Sequence, residues 1–261
     1  MNRRKYLSDE NEIVLSWQPH GGCWDKQKNM GTKKYRLTGN HINIGSRILY
    51  QIEALKDFGN VKAGDLGGYI ESEKNLSQYD NAWVYGNAQV YDNAKVFGNA
   101  HVCDNAHVCD NARVYGDAEV YGDAKVYGCA EVYGESKVFD NAEVYGSAEV
   151  FDNAEVYGNA EVYGDAQVFD NAKVFDNAEV YDDAQIKSAR DYIVFKNWWS
   201  SGRYFTWTRS NNMWKVGCFY GTGEELIKKA YNDSEISGRE YERIVRYVEE
   251  ILEENYENKE N

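Results

Sequence analysis

Between Ala82 and Ile186 the chain places apolar residues at two fixed positions of every six. Valine recurs at 84, 90, 96 and onward to 180, and Ile186 closes a series of eighteen. Alanine stands two residues before each, from Ala82 to Ala184, with Ser136 the single departure. In outline the unit is Ala-x-Val-aromatic-Gly/Asp-Asn/Asp. A spacing of two puts Ala and Val on one side of a short strand and turns the residue between them outward. Gly-Asn, Asp-Asn and Gly-Asp then supply a corner, because these residues accept positive φ and make local turns. A six-residue strand and corner cannot close a core alone. Three units make an 18-residue triangular coil, and coils stack as parallel strands about 4.8 Å apart. Eighteen units therefore predict a mainly β protein with a triangular solenoid of about six coils, roughly 29 Å tall. Each buried Val contributes roughly 1.5–3 kcal/mol. Ladder hydrogen bonds must help offset about 1–2 kcal/mol of backbone entropy per ordered residue.

The flanks read differently. Lys34–Leu37 and Arg47–Ile52 have strand character, and Ile70 and Leu76 carry the six-residue register faintly upstream of the repeat. Past Lys187, the segments Tyr192–Lys196, Arg203–Arg209 and Met213–Tyr220 predict an antiparallel meander with turns at SSG and SNN. Two helices follow. Thr222 with Glu225, and Ser237 with Glu240, are their expected capping boxes. Tyr241, Ile244, Val245, Val248, Ile251 and Leu252 form the apolar stripe of the second. The resulting division is a weakly structured segment 1–32, an N-terminal β cap 33–65, the repeat 66–187, and a C-terminal α+β module 188–261 that ends in a frayed ENYENKEN.

The repeat resembles the aliphatic-x-x-x-small-x hexapeptide of left-handed parallel β-helix proteins, and the left hand of the coil is implied by that resemblance. The leading stretch KKYRLTGNHINIGSRILYQIEALKDFGNV and the trailing DYIVFKNWWSSGRYFTWT are similar to uncharacterised phage and bacterial hexapeptide-repeat proteins, often labelled transferases. The similarity spans roughly residues 33–248. Many proteins of this fold are trimeric acyltransferases that bind acyl-CoA or a nucleotide-sugar between coils and use a His as general base. This chain has only His20, His41, His101 and His107, and its coils lack the looped-out insertions that build a pocket in such enzymes.

Charge narrows the choice. The net charge is −14, and the repeat alone, with 12 Asp and 8 Glu against 5 Lys and 1 Arg, accounts for all of it. That argues against direct nucleic-acid binding by the rod. It suits a partner with a basic surface, and a shaft of near-duplex width could imitate nucleic acid in a basic groove. The plainer alternative is that Asp in corners is turn chemistry and Glu on strands confers solubility. Five scattered cysteines, Cys23, Cys103, Cys109, Cys129 and Cys218, fit reduced thiols. No basic, apolar leader or membrane-length apolar run is present, so a cytoplasmic protein without a membrane partner is expected.

Tyr or Phe follows the Val in fifteen of the eighteen units, so three aromatic ladders are expected at 18-residue spacing. Such ladders stiffen a sheet and also form docking strips. In NAHVCDNAHVCDNA, His101 and Cys103 leave one strand and His107 and Cys109 the adjoining one. Imidazole beside thiol is the residue set of a nucleophile and base or of a soft-metal site. A corner separates the two pairs, so no metal or other cofactor is expected, and tolerated surface variation explains the motif as well. Trp198, Trp199, Tyr204, Phe205, Trp207 and Trp214, mixed with Lys196, Arg203, Arg209 and Lys215, are expected to pack aromatics over the open solenoid end with cations to solvent; base stacking is the alternative. The expected function is non-catalytic: an acidic, aromatic face, Tyr127, Tyr145, Tyr163, Glu143 and Glu161, presented to a basic protein partner or used for self-association. A phage-encoded mimic that inhibits a host factor would fit. The alternative is an acyltransferase using His101, His107, Cys103 or Cys109.

Overall fold

The computed structural model describes residues 33–257. The expectation for segment 1–32, with Cys23 and His20, lies outside them, as do the last four residues of the tail. The repeat forms a three-sided parallel β-solenoid in which each unit contributes a two-residue rung. Face I carries Trp83–Val84, His101–Val102, Glu119–Val120, Lys137–Val138, Glu155–Val156 and Lys173–Val174. Face II runs from Gln89–Val90 through His107–Val108, Lys125–Val126, Glu143–Val144 and Glu161–Val162 to Glu179–Val180. Face III runs from Lys95–Val96 to Gln185–Ile186. Residue i bridges to i+18 throughout, as in Glu143↔Glu161 and Val144↔Val162.

The repeat alanines and valines are 0–1% exposed and fill the interior. The first corner residue of every unit, from Asp80 to Asp182, is Gly or Asp with φ between +52° and +78°. Chain reversal every six residues needs that conformation, and Gly and Asp reach it at least expense. Ser136, where the repeat has Ala elsewhere, is buried, and its hydroxyl lies 2.9 Å from Tyr133 O and 3.1 Å from Val150 O. Val150 O already accepts from Tyr133 N–H. Ser136→Ala therefore leaves that carbonyl satisfied, and the unfolding free energy from urea titration is expected to change by less than about 1 kcal/mol. A loss above about 2 kcal/mol would show that the hydroxyl is structural.

The stack has about seven turns, the six of the regular units and one before them. The extra turn comes from the irregular stretch before the repeat. β1 (Tyr35–Ile44) and β2 (Arg47–Ala54) form an antiparallel hairpin; β2 pairs with β3 (Leu66–Ile70); β3 then joins Gln89–Val90 in parallel. Leu76 bridges to Val96 and starts face III. Ile70 and Leu76 thus occupy inward positions of a first coil. Lys34 seals this end: its ammonium donates to Tyr79 O (3.0 Å) and Ala82 O (2.8 Å) beneath the Phe58 ring. Burial lowers its pKa to about 8. Trp83 packs edge-on against Tyr35 and Phe58.

At the other end the meander is four-stranded, because Met213–Tyr220 splits into Met213–Val216 and Phe219–Gly221 around Gly217 (φ +54°). The expectation that its aromatics cover the solenoid end is corrected. Phe205, Trp207 and Trp214 pack against helices α1 (Gly223–Asp233) and α2 (Glu235–Glu257). The solenoid end is met instead by Tyr192, buried against the solenoid core and edge-on to Phe175, by Tyr220 edge-on to Tyr181, and by hydroxyl groups. Thr206 Oγ1 accepts from Glu179 N–H (2.9 Å), Ser210 Oγ accepts from Gln185 N–H (2.7 Å), and Tyr192 OH donates to Lys173 O (3.1 Å). These bonds replace those a further coil would have made, which is how an open edge is kept from templating another strand. Thr222 and Glu225 form the expected capping box of α1. For α2 the cap is Ser234, whose Oγ accepts from Ser237 N–H (3.1 Å); Ser237 lies inside the helix because one residue links α1 to α2.

Candidate functional site

The outward residues of the rungs form one charge column on each face, and the columns differ. Face I alternates Glu119, Lys137, Glu155 and Lys173, with contacts of 3.2 Å (Lys137–Glu119) and 2.9 Å (Lys173–Glu155). Face III sets Arg113 against Glu131 at 3.6 Å, then continues with Glu149 and two glutamines. Face II stacks Glu143, Glu161 and Glu179 in direct register. Lys125 contacts Glu143 at 2.7 Å, and Lys215 of the meander contacts Glu179 at 3.6 Å. Among the described residues no Lys or Arg reaches Glu161. Like charges placed directly opposite one another destabilise a sheet pair.

The residue after each Val lies beside this column. Tyr127, Tyr145 and Tyr163 stack at centroid separations of 4.8 and 4.6 Å, with interplanar angles of 3° and 9°. Tyr181 continues the stack, tilted by 35°. Ladders also form on face I (Tyr121, Phe139, Tyr157, Phe175) and face III (Phe97, Tyr115, Tyr133, Phe151, Phe169). Each such contact contributes roughly 0.5–1.5 kcal/mol beyond burial. The five residues singled out from the sequence, Tyr127, Tyr145, Tyr163, Glu143 and Glu161, therefore stand together on face II, half-buried.

A coupling between ladder and charge column was not foreseen. Tyr127 OH donates to Glu143 (2.9 Å), Tyr145 OH to Glu161 (2.8 Å) and Tyr163 OH to Glu179 (3.3 Å). Face III repeats this with Tyr115–Glu131 and Tyr133–Glu149, both 2.8 Å. Each bond joins residue i to i+16, so the signal was present as Tyr and Glu sixteen apart. On face I, Glu119 and Glu155 follow Cys103 and Phe139 at that spacing and use lysines instead. Burial, then donation to the carboxylates, raises the Tyr127 and Tyr145 hydroxyls above the usual phenol range. Burial opposes ionisation of Glu143, but bonds from Lys125 and Tyr127 outweigh it and hold its carboxyl low. Glu179 is raised by burial, partly offset by Lys215.

Lys215, which the sequence pattern places toward solvent, is also a site residue. Its side chain is 14% exposed, and its ammonium sits 5.8 Å from the Tyr163 centroid and 5.6 Å from that of Tyr181. Only tertiary packing brings it there.

His101, Cys103, His107 and Cys109 occupy neighbouring rungs of faces I and II. His101 meets the Tyr85 ring edge-on at 5.4 Å. Burial pushes the Cys103 thiol up to about 11 and raises Cys109 as well, so both are protonated at neutral pH, where a nucleophile or metal ligand must be thiolate. Burial lowers both imidazoles. Among the described residues no group of three His, Cys, Asp or Glu could hold a metal ion, and Cys103, Cys109, Cys129 and Cys218 are free thiols. No described helix is long and apolar enough to cross a membrane.

Residues 88–104 match the family model of the YdcK Beta solenoid repeat. The matched stretch is about one coil, and with the stacked rungs it makes this a β-solenoid repeat protein. No curated protein matches the chain.

Proposed function

We propose that this protein is a non-catalytic docking protein whose face II binds a protein partner through that partner's basic surface. The observation that carries this reading is the contrast between faces. Face I neutralises its own charge rung by rung, whereas face II stacks three carboxylates beside four tyrosines, and among the described residues Glu161 has no Lys or Arg in contact. Such a stack is unfavourable in the isolated protein and favourable against a cationic surface, and the phenols supply contact area at low conformational entropy. The net charge of −14 adds long-range attraction. The resemblance to phage repeat proteins suggests a host nucleic-acid-binding or defence factor as the partner, its basic groove taking the rod in place of a duplex.

The test compares affinity capture from host lysate by the wild type, by Glu143→Lys with Glu161→Lys, and by the face I reversal Glu119→Lys with Glu155→Lys. Proteins with basic surfaces are expected to bind the wild type and the face I variant and to disappear from the face II variant, all three retaining the β-sheet circular dichroism. Equal capture by all three would refute the reading.

A further inference from the structure

Face II already holds one lysine of its own chain. Lys215 donates to Gly217 O of its own module and sets its ammonium over two successive tyrosine rings, Tyr163 and Tyr181, beside the carboxylate of Glu179. The repeat translates that arrangement by one coil, about 4.8 Å, onto Tyr145, Tyr163 and Glu161. There the rings stack at 4.6 Å, as they do around Lys215, and Tyr145 OH holds Glu161 as Tyr163 OH holds Glu179. The next coil down has its cation too, Lys125 on Glu143. The column thus contains three carboxylates and two lysines, and the coil that lacks a cation lies between the two that have one.

Deepening the docking reading of face II, on which this rests, we infer that Tyr145, Tyr163 and Glu161 form a seat for one lysine side chain of the partner. The ring faces attract the ammonium through their quadrupoles, and the carboxylate supplies the charge. An ammonium in this seat stands about one coil, about 4.8 Å, from Lys215, with the Glu161 carboxylate beside it supplying the opposite charge. The ring pair is flatter in the seat, at 9° against 35° around Lys215, which leaves room for the tilt that Lys215 accompanies.

The probe is the peptide acetyl-Ser-Gly-Lys-Gly-Ser-amide with 13C-labelled lysine, titrated into the full chain and followed by NMR. A cation over stacked phenols is shifted by their ring currents, so the lysine ε-methylene protons are expected to move upfield in a saturable manner. Glu161→Gln and Tyr145→Leu are each expected to weaken binding by roughly fivefold, and Glu119→Gln on face I to leave it unchanged. No saturable binding, binding without the upfield shift, or equal weakening by Glu119→Gln each overturns the lysine seat. Those results leave the docking reading standing if Glu143→Lys with Glu161→Lys still abolishes partner capture; capture insensitive to that pair is the separate failure of the docking reading.

Discussion

Gly134→Val is expected to lower stability by roughly 3 kcal/mol or more, from two terms that act at one atom. Gly134 has φ +78°, where an L side chain is strained by about 1–2 kcal/mol and a β-branched one by more. A Cβ there would lie 2.8 Å from Asp152 N and 2.9 Å from Asp152 O, which are backbone atoms of the next coil. Backbone in a hydrogen-bonded ladder cannot move aside without opening the stack: Glu135 N–H donates to Asp152 O at 2.7 Å. Gly134→Asp is expected to be milder, because Asp140 and Asp152 occupy the same corner position with φ of 60° and 58°. Urea unfolding of the three proteins checks the order Gly, Asp, Val. A loss below about 1 kcal/mol for Gly134→Val would mean that the corner does not need positive φ.

The second large effect is alkaline unfolding. Burial raises the Tyr115, Tyr127, Tyr145 and Tyr163 hydroxyls, and donation to a glutamate on the next coil raises them further. The folded rod therefore holds these protons above pH 10, where an unfolded chain releases them. Since the folded pKa exceeds the unfolded value, the stabilisation is complete below about pH 10 and is lost as pH rises beyond it. Lys34 acts oppositely. Its folded pKa of about 8 lies below the usual 10.5, so stability rises with pH between those values. Lys34 alone gives a shallow gain from about pH 8; above about pH 9 the raised Cys103 and Cys109 thiols oppose it, and above about pH 10 the four tyrosines make the fall steep. Phenolate absorbance and far-UV circular dichroism, followed together from pH 8 to 12.5, should show ladder tyrosines ionising only as the rod unfolds. Ionisation near pH 10 with the rod intact would mean that the hydroxyl–carboxylate bonds are not made in solution.

The rod was readable because a period of six with a tolerant corner leaves few other structures. Val and Ala two apart settle the inward side, and Gly or Asp two residues after Val settles the bend. The eighteen regular units account for six coils, and the first, irregular coil showed only as the register of Ile70 and Leu76 that set the repeat's start at residue 66, because Leu66–Asn81 replaces the corner dipeptides with irregular turns. Within the candidate site, the 18-residue columns followed directly from the repeat. The Tyr–Glu bonds did not, because they run diagonally, at i+16, and depend on side-chain reach. Lys215 was invisible for a different reason. It comes from a separate module, and only its docking through Thr206, Ser210 and Tyr192 carries it onto Tyr163 and Tyr181. The α2 cap moved from Ser237 to Ser234 because one serine ends α1 and begins α2.

The central claim is that face II is the surface a partner covers. Hydroxyl-radical footprinting of the captured complex, read residue by residue, tests it most directly. Tyr127, Tyr145 and Tyr163 should lose reactivity on binding, while Tyr121 and Tyr157 of face I and Phe151 of face III keep theirs. Protection of face I or face III with face II unchanged would contradict the account.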